Sequence, residues 1–418
     1  MMPRELDSLL PRLAVHPAAR LAVFVILALP LTSCELSEAQ TEERARQIAE
    51  VVIPRIESAV GLPYKLPPQI SVRSREQMQA YIDAKIQSDL PEEEMERLTV
   101  AYRLFGMIPD TLDLQALLSE LYYEQVVGYF DPDSSTLYLP DGMDPTILRF
   151  TVAHELVHAL QDQYMDLTPI LSDEQDNDRR MAAQAMLEGQ ATLVSMLDML
   201  PEQSMGELND VWSQARALIK DQQGQMPVLA ATPLVIREGL IFPYLSGADF
   251  VQWFMSTYPD TVPYGPRLPE STEQILHPDK YRIGEPPVDL FYSDTSEVFY
   301  DNGLGELETK LLLTVLTGSE TVGAAGAMGW AGDRYAVLRV DGGYGLVWWS
   351  VWDSEAVAER FVTLLDREWV QQVAAGWSYV AERVDVGGEP GVLFMYGPAK
   401  WHRWGDPPRV AVRRTEGS

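Results

Sequence analysis

The chain has 418 residues, enough for two or three domains with cores of their own. Apolar residues make up 46% and charged residues 22%, the balance of an ordinary globular protein. The formal charge of −30 argues against a nucleic-acid partner and against docking on an anionic lipid surface by charge.

The N-terminus reads as a targeting segment over residues 1–33. Arg4, Arg12 and Arg20 precede an apolar run from Leu21 to Leu31 that is too short to span a bilayer comfortably. The run ends in Leu31-Thr32-Ser33-Cys34, which resembles the lipobox of bacterial lipoproteins. That resemblance implies cleavage before Cys34 and a lipid anchor on it. Cys34 is the only cysteine of the chain, so it cannot close an internal disulfide. The expected location is outside the cytoplasm, lipid-anchored at the cell membrane, or secreted if Cys34 is not lipidated. Residues 34–41 follow as a short polar tether.

From residue 42 to 60 the periodicity is helical, and Ile70-Ser71-Val72 reads as a short strand. Segments 75–86, 91–105 and 112–122 read as amphipathic helices. A hairpin is expected from residues 124–130 and 136–140, joined by the turn chemistry of Asp131-Pro132-Asp133-Ser134-Ser135. Asp144-Pro145 then starts a helix that reaches about Tyr164, with an Asp cap and Pro at the first helical position. Its residues are apolar on most sides, so any polar group on it demands a partner. A second helix is expected over about 178–200, with others over 205–221 and 233–257, the last interrupted at Pro243. A proline-rich stretch, 259–287, crosses the surface. Strands over 335–340, 345–351, 379–384 and 391–396 and a helix over 353–367 describe a small α+β unit. Eight of the ten tryptophans fall from Trp330 onward, which favours a packed aromatic core there over a binding platform.

The chemistry centres on His154-Glu155-Leu156-Val157-His158. Residues four apart share one helix face, so both imidazoles can grip one metal ion, with the Glu155 carboxylate beside them. A hydrolytic zinc site takes three protein ligands and keeps one position for water. A third histidine six residues on is excluded, because Tyr164 stands there and Gln161 lies between. Glu188 is the only acidic residue between Asp178 and Asp198, on a helix of apolar and small residues. A lone Glu there is either solvent-facing or a metal ligand, and the two histidines favour the ligand. Gly189 and Ala191 would let this helix approach the histidine helix closely.

His-Glu-x-x-His followed by Glu188-Gly189-Gln190-Ala191 resembles the gluzincin class of zinc metallopeptidases. The resemblance implies zinc on His154, His158 and Glu188, and Glu155 as the general base. Residues 154–163, 188–193, 244–251 and 271–278 are further similar to bacterial metallopeptidases of unassigned substrate, the likeness covering roughly residues 100–370. The spacing from His158 to Glu188 exceeds that of the thermolysin branch. Gluzincins use a Tyr or His to stabilise the oxyanion, and the candidates here are Tyr244 and His277. Asp162 is a candidate acceptor for a ligand imidazole. Analogy to the class also places an extended substrate along the edge of the hairpin.

The expected architecture is α+β: a mainly helical, zincin-like catalytic domain with a small edge hairpin over 42–290, and a C-terminal α+β domain over 291–418. The expected activity is zinc-dependent peptide hydrolysis on a peptide or protein substrate. The alternatives are a non-catalytic zinc-binding scaffold lipoprotein and a zinc hydrolase of a non-peptide amide.

Overall fold

The structure, a computed structural model, describes residues 36–89, 91–166, 170, 176–200, 211–221 and 226–413. The targeting segment and Cys34 lie outside the described residues. The fold is α+β, with fourteen α-helices and ten strands among the described residues.

The chain enters through α1 (Glu38–Val60), β1 (Gln69–Arg73), α2 (Arg75–Asp89), α3 (Glu92–Leu104) and α4 (Leu114–Gln125). The expected tether is therefore helical from Glu38, because Ser37 and Gln40 form a reciprocal capping box that nucleates α1 early. Next come β2 (Tyr129–Asp131), β3 (Thr136–Pro140) and the histidine helix α5 (Pro145–Tyr164). The hairpin is present, and β1 joins it by pairing parallel to β3, so the sheet order is β1-β3-β2 with β2 at an edge.

The helical half continues with α6 (Asn177–Met199), α7 (Val211–Asp221), α8 (Pro227–Ala231) and α9 (Leu234–Thr257). Part of the expected 205–221 helix lies outside the described residues. α9 runs unbroken through Pro243, contrary to the interruption expected there. The proline-rich stretch holds two short helices, α10 (Thr272–Leu276) and α11 (Pro278–Ile283). Helices α1, α5, α6 and α9 pack in that order, each against the next. One apolar cluster fills the space between α1, α5 and the small sheet, built from residues such as Val52, Leu139, Leu156 and Ala191.

After β4 (Leu290–Tyr292) and β5 (Val298–Asn302) come α12 (Gly305–Thr317) and α13 (Glu320–Ala327), which the sequence reading did not anticipate. Then follow β6 (Trp330–Val340), β7 (Gly343–Trp352), α14 (Glu355–Trp369), β8 (Trp377–Val386), β9 (Glu389–Pro398) and β10 (Val410–Val412). The main sheet is antiparallel in the order β5-β6-β7-β9-β8. Because strand side chains alternate, Trp348 and Trp352 face α14 and Phe361, while Trp349 and Val351 face the opposite cluster with Tyr292 and Trp401. The tryptophans are thus largely core. The larger cluster runs on from this sheet through Leu311 and Leu312 of α12 to Phe250 and Phe254 of α9 and Ala185 of α6.

Candidate metal centre

Helix α5 begins as its sequence requires. The Asp144 carboxylate accepts from the N–H groups of Thr146 and Ile147, and Pro145 occupies the first turn. Near the start of α5 the Arg149 guanidinium makes a two-pronged pair with Asp198 of α6, at 2.9 and 3.1 Å, and Arg55 of α1 joins the same carboxylate at 3.1 Å. These ties fix α5 against α6 about an axis that leaves His154 and His158 facing Glu188.

The three side chains meet. His158 Nε2 lies 3.1 Å from His154 Nε2, and Glu188 Oε2 lies 3.2 Å from each of them. Two tetrahedral ligands held about 2.05 Å from zinc stand about 3.3 Å apart, so this near-equilateral triangle matches the spacing that such an ion imposes. The donor set, two imidazole nitrogens and a carboxylate, is also one that catalytic zinc uses. Glu155 sits beside the triangle at 1% exposure. Its Oε2 accepts the Phe130 N–H of edge strand β2 at 2.9 Å, and its Oε1 is buried with no hydrogen-bond partner. A buried carboxylate oxygen without a donor is costly in a purely structural role.

Electrostatics within the cluster follow from burial and proximity. Burial pushes Glu155 up to about 8. Burial also pushes His154 down, to about 4. His158 goes the other way, to about 9: the cost of burying its charge is outweighed by the Glu188 carboxylate. Glu188 correspondingly stays ionised, because the two imidazoles overcome the cost of burying its charge. Without a metal, the cluster is held by a Glu188–His158 ion pair.

Tyr244 belongs to this site. Its ring lies 6.0 Å from that of His154, nearly parallel, and its hydroxyl donates to Glu188. It is mid-helix in α9 rather than at a helix start. His277 does not join: its Nε2 pairs with Glu306 Oε1 at 2.8 Å. Its helix α10 is pinned by the Thr272 N–H to Asp178 in the first turn of α6. That point lies ten residues, or about 15 Å of helix, before Glu188. The expectation of His277 as an oxyanion group is therefore corrected.

Two positioning details also differ from expectation. The acceptor at His158 Nδ1 is Gln161 Oε1 at 2.8 Å, not Asp162. Gln161 had stood out in the sequence only as a position lacking histidine, and its i+3 spacing from His158 was the signal available. Gly189 faces α9 rather than α5: a Cβ there would fall 2.2 Å from the Gly247 carbonyl carbon. Ala191 is the residue that packs toward α5.

Residues 297–389 match the family described as "Domain of unknown function (DUF8575)". No curated protein matches the chain. Among solved structures, the chain is similar to one described as "a putative hydrolase with a novel fold" from Chloroflexus aurantiacus. Identity is 17%, the alignment covers 59% of this chain and 90% of that one, and the TM-score is 0.37.

Proposed function

We propose that the chain is a zinc-dependent peptide hydrolase of gluzincin type, with His154, His158 and Glu188 as ligands and Glu155 as general base. The observation that supports this best is the pairing of a ligand triangle with 3.1–3.2 Å sides and an unpartnered, buried carboxylate oxygen on the residue after its first histidine. A zinc ion bound there would supply a water of near-neutral pKa and polarise the substrate carbonyl.

The chain's own groups do the remaining work. The Phe130 N–H holds Glu155 Oε2, so Oε1 is the atom that takes a proton from water and delivers it to the leaving amine. Burial raises the proton affinity of Glu155, which suits a group that must accept a proton and then release it. Tyr244 holds the Glu188 carboxylate in place by its hydroxyl and is the candidate to stabilise negative charge on the substrate oxygen. A peptide would lie extended along β2, the edge strand whose Phe130 already touches the base. In this reading a lipid on Cys34 holds the enzyme at the outer face of the cell membrane.

The test is Glu155→Gln. Turnover of an unstructured peptide library is expected to fall by about 10²–10⁴-fold while zinc content stays at that of the wild type. Undiminished turnover would refute the role of Glu155, and wild-type protein without stoichiometric zinc would refute the metal centre.

A further inference from the structure

The neighbours of His158 form a chain of hydrogen bonds in which each donor and acceptor is dictated by the next. Gln161 Nε2 lies 3.0 Å from the backbone carbonyl of Leu187 and 3.0 Å from Gln190 Oε1. A backbone carbonyl can only accept, so the amide nitrogen of Gln161 must face α6 and its oxygen must face His158. Both amide hydrogens are then used. Because Gln161 donates to it, the Gln190 amide must present Oε1, and the Tyr264 hydroxyl, 2.6 Å from that oxygen, must donate as well. Gln161 and Gln190 are buried, at 0% and 2% exposure, so water does not compete for these bonds.

We infer that Gln161, Gln190 and Tyr264 are positioning residues that lock the proton of neutral His158 on Nδ1 and so leave the Nε2 lone pair for a metal. With Oε1 of Gln161 at 2.8 Å, Nδ1 must be the donor. The unprotonated Nε2 then points at the spot shared with His154 Nε2 and Glu188 Oε2. The anchor of the lock is the carbonyl of Leu187, the residue before Glu188, so one turn of α6 supplies the third ligand and sets the tautomer of the second. Tyr264 extends the lock into the segment between α9 and α10. The role assigned to Nε2 rests on the metal reading above; the placement of the Nδ1 proton does not.

The experiment pairs two readouts on the full chain. In metal-free protein, titrated to a pH at which His158 is neutral, ¹⁵N-resolved NMR should show a slowly exchanging Nδ1–H beside an unprotonated Nε2, and that exchange should quicken in Tyr264→Phe. Zinc affinity, measured by competition with a chelator, should fall about 10–100-fold in Gln161→Leu. Gln161→Glu, whose carboxylate still accepts from Nδ1, should bind zinc more tightly than Gln161→Leu. A merely structural role would give the reverse order, because the introduced charge is worse for the core than leucine. An unprotonated Nδ1 in the wild type, or wild-type zinc affinity in Gln161→Leu, would overturn the inference. A protected Nδ1–H in wild-type protein that binds no zinc would uphold the lock and reject the metal centre. Should Gln161→Leu fail to fold, the Tyr264→Phe exchange rate decides, and an unchanged rate refutes the lock.

Discussion

Adding one methyl group at Gly247 should loosen the metal centre without touching any of its ligands. Helices α6 and α9 meet backbone to backbone at this point. A Cβ on Gly247 would lie 2.0 Å from the Ala185 carbonyl oxygen and 2.8 Å from its carbonyl carbon. Ordinary contact begins near 3.4 Å, so the helices must part by about 1.4 Å (3.4 − 2.0). Backbone atoms cannot rotate away, so the strain spreads along both helices. Overpacking of this kind costs about 1–3 kcal/mol of stability. The functional cost is separate. Glu188 is next to Gly189 at the crossing, and Tyr244 lies one turn before Gly247, so the Tyr244–Glu188 hydrogen bond spans the gap that opens. Metal–ligand distances tolerate only about 0.2 Å, far less than the displacement required. Gly247→Ala should therefore lower the urea midpoint of metal-free protein and weaken zinc binding in a chelator competition. Gly405→Ala, where a Cβ meets nothing within 4 Å, should change the urea midpoint by no more than about 0.5 kcal/mol equivalent and leave zinc binding alone. Wild-type stability and zinc affinity in Gly247→Ala would show that the helix crossing does not set the ligand geometry.

Two further outcomes follow from buried charge. Burial raises Glu308 to about 7, against donors from Tyr102 and Asn177 that hold it down. Between the ordinary carboxyl value of 4.5 and about 7 the folded state binds the proton that the unfolded state has lost. Stability from this group therefore falls as pH rises through that window, the reverse of an ion-paired carboxylate. Glu308→Gln keeps an acceptor for both donors, so its urea midpoint should gain on the wild type from pH 5 to pH 8, and a constant difference would refute the assignment. Metal binding has its own proton balance. His158 is raised to about 9 beside Glu188, so at pH 7 an incoming zinc must displace its proton. Calorimetry in buffers of differing ionisation enthalpy should report at least one proton released per zinc, and affinity should rise with pH up to about 9. Heats independent of the buffer would contradict this.

What the sequence disclosed and what it hid divide along a physical line. The His154–His158 pair is local: four residues on a helix share a face whatever surrounds them. Glu188 was legible because a lone carboxylate on an apolar helix needs a partner, and the two histidines provide one. Tyr244 was correctly placed near the site for a partly wrong reason, since α9 does not restart at Pro243 but passes through it. His277 misled because a histidine carries no mark of which carboxylate will claim it, and Glu306 lies 29 residues away. Helix α12 escaped notice for a related reason. Nothing in the local sequence marks Glu306 and Glu308 as buried, yet both are, with Glu306 held by His277 and Glu308 by Tyr102 and Asn177.

Gln161 shows where such reading stops. A glutamine three residues after a histidine is as well suited to water as to an imidazole, so its spacing alone decides nothing. Its role becomes definite only once the Leu187 carbonyl comes within 3.0 Å of it, and that requires α5 and α6 to be docked. The same docking depends on Arg149 and Asp198 at one end and on the glycine-mediated seat of α6 on α9 behind it. The ligand types are therefore written in short local patterns, whereas proton placement and ligand spacing come from helix–helix contacts that no segment encodes by itself. Substitutions at Gln161 and Gly247 should accordingly alter metal affinity as surely as substitutions at the ligands, though by smaller factors.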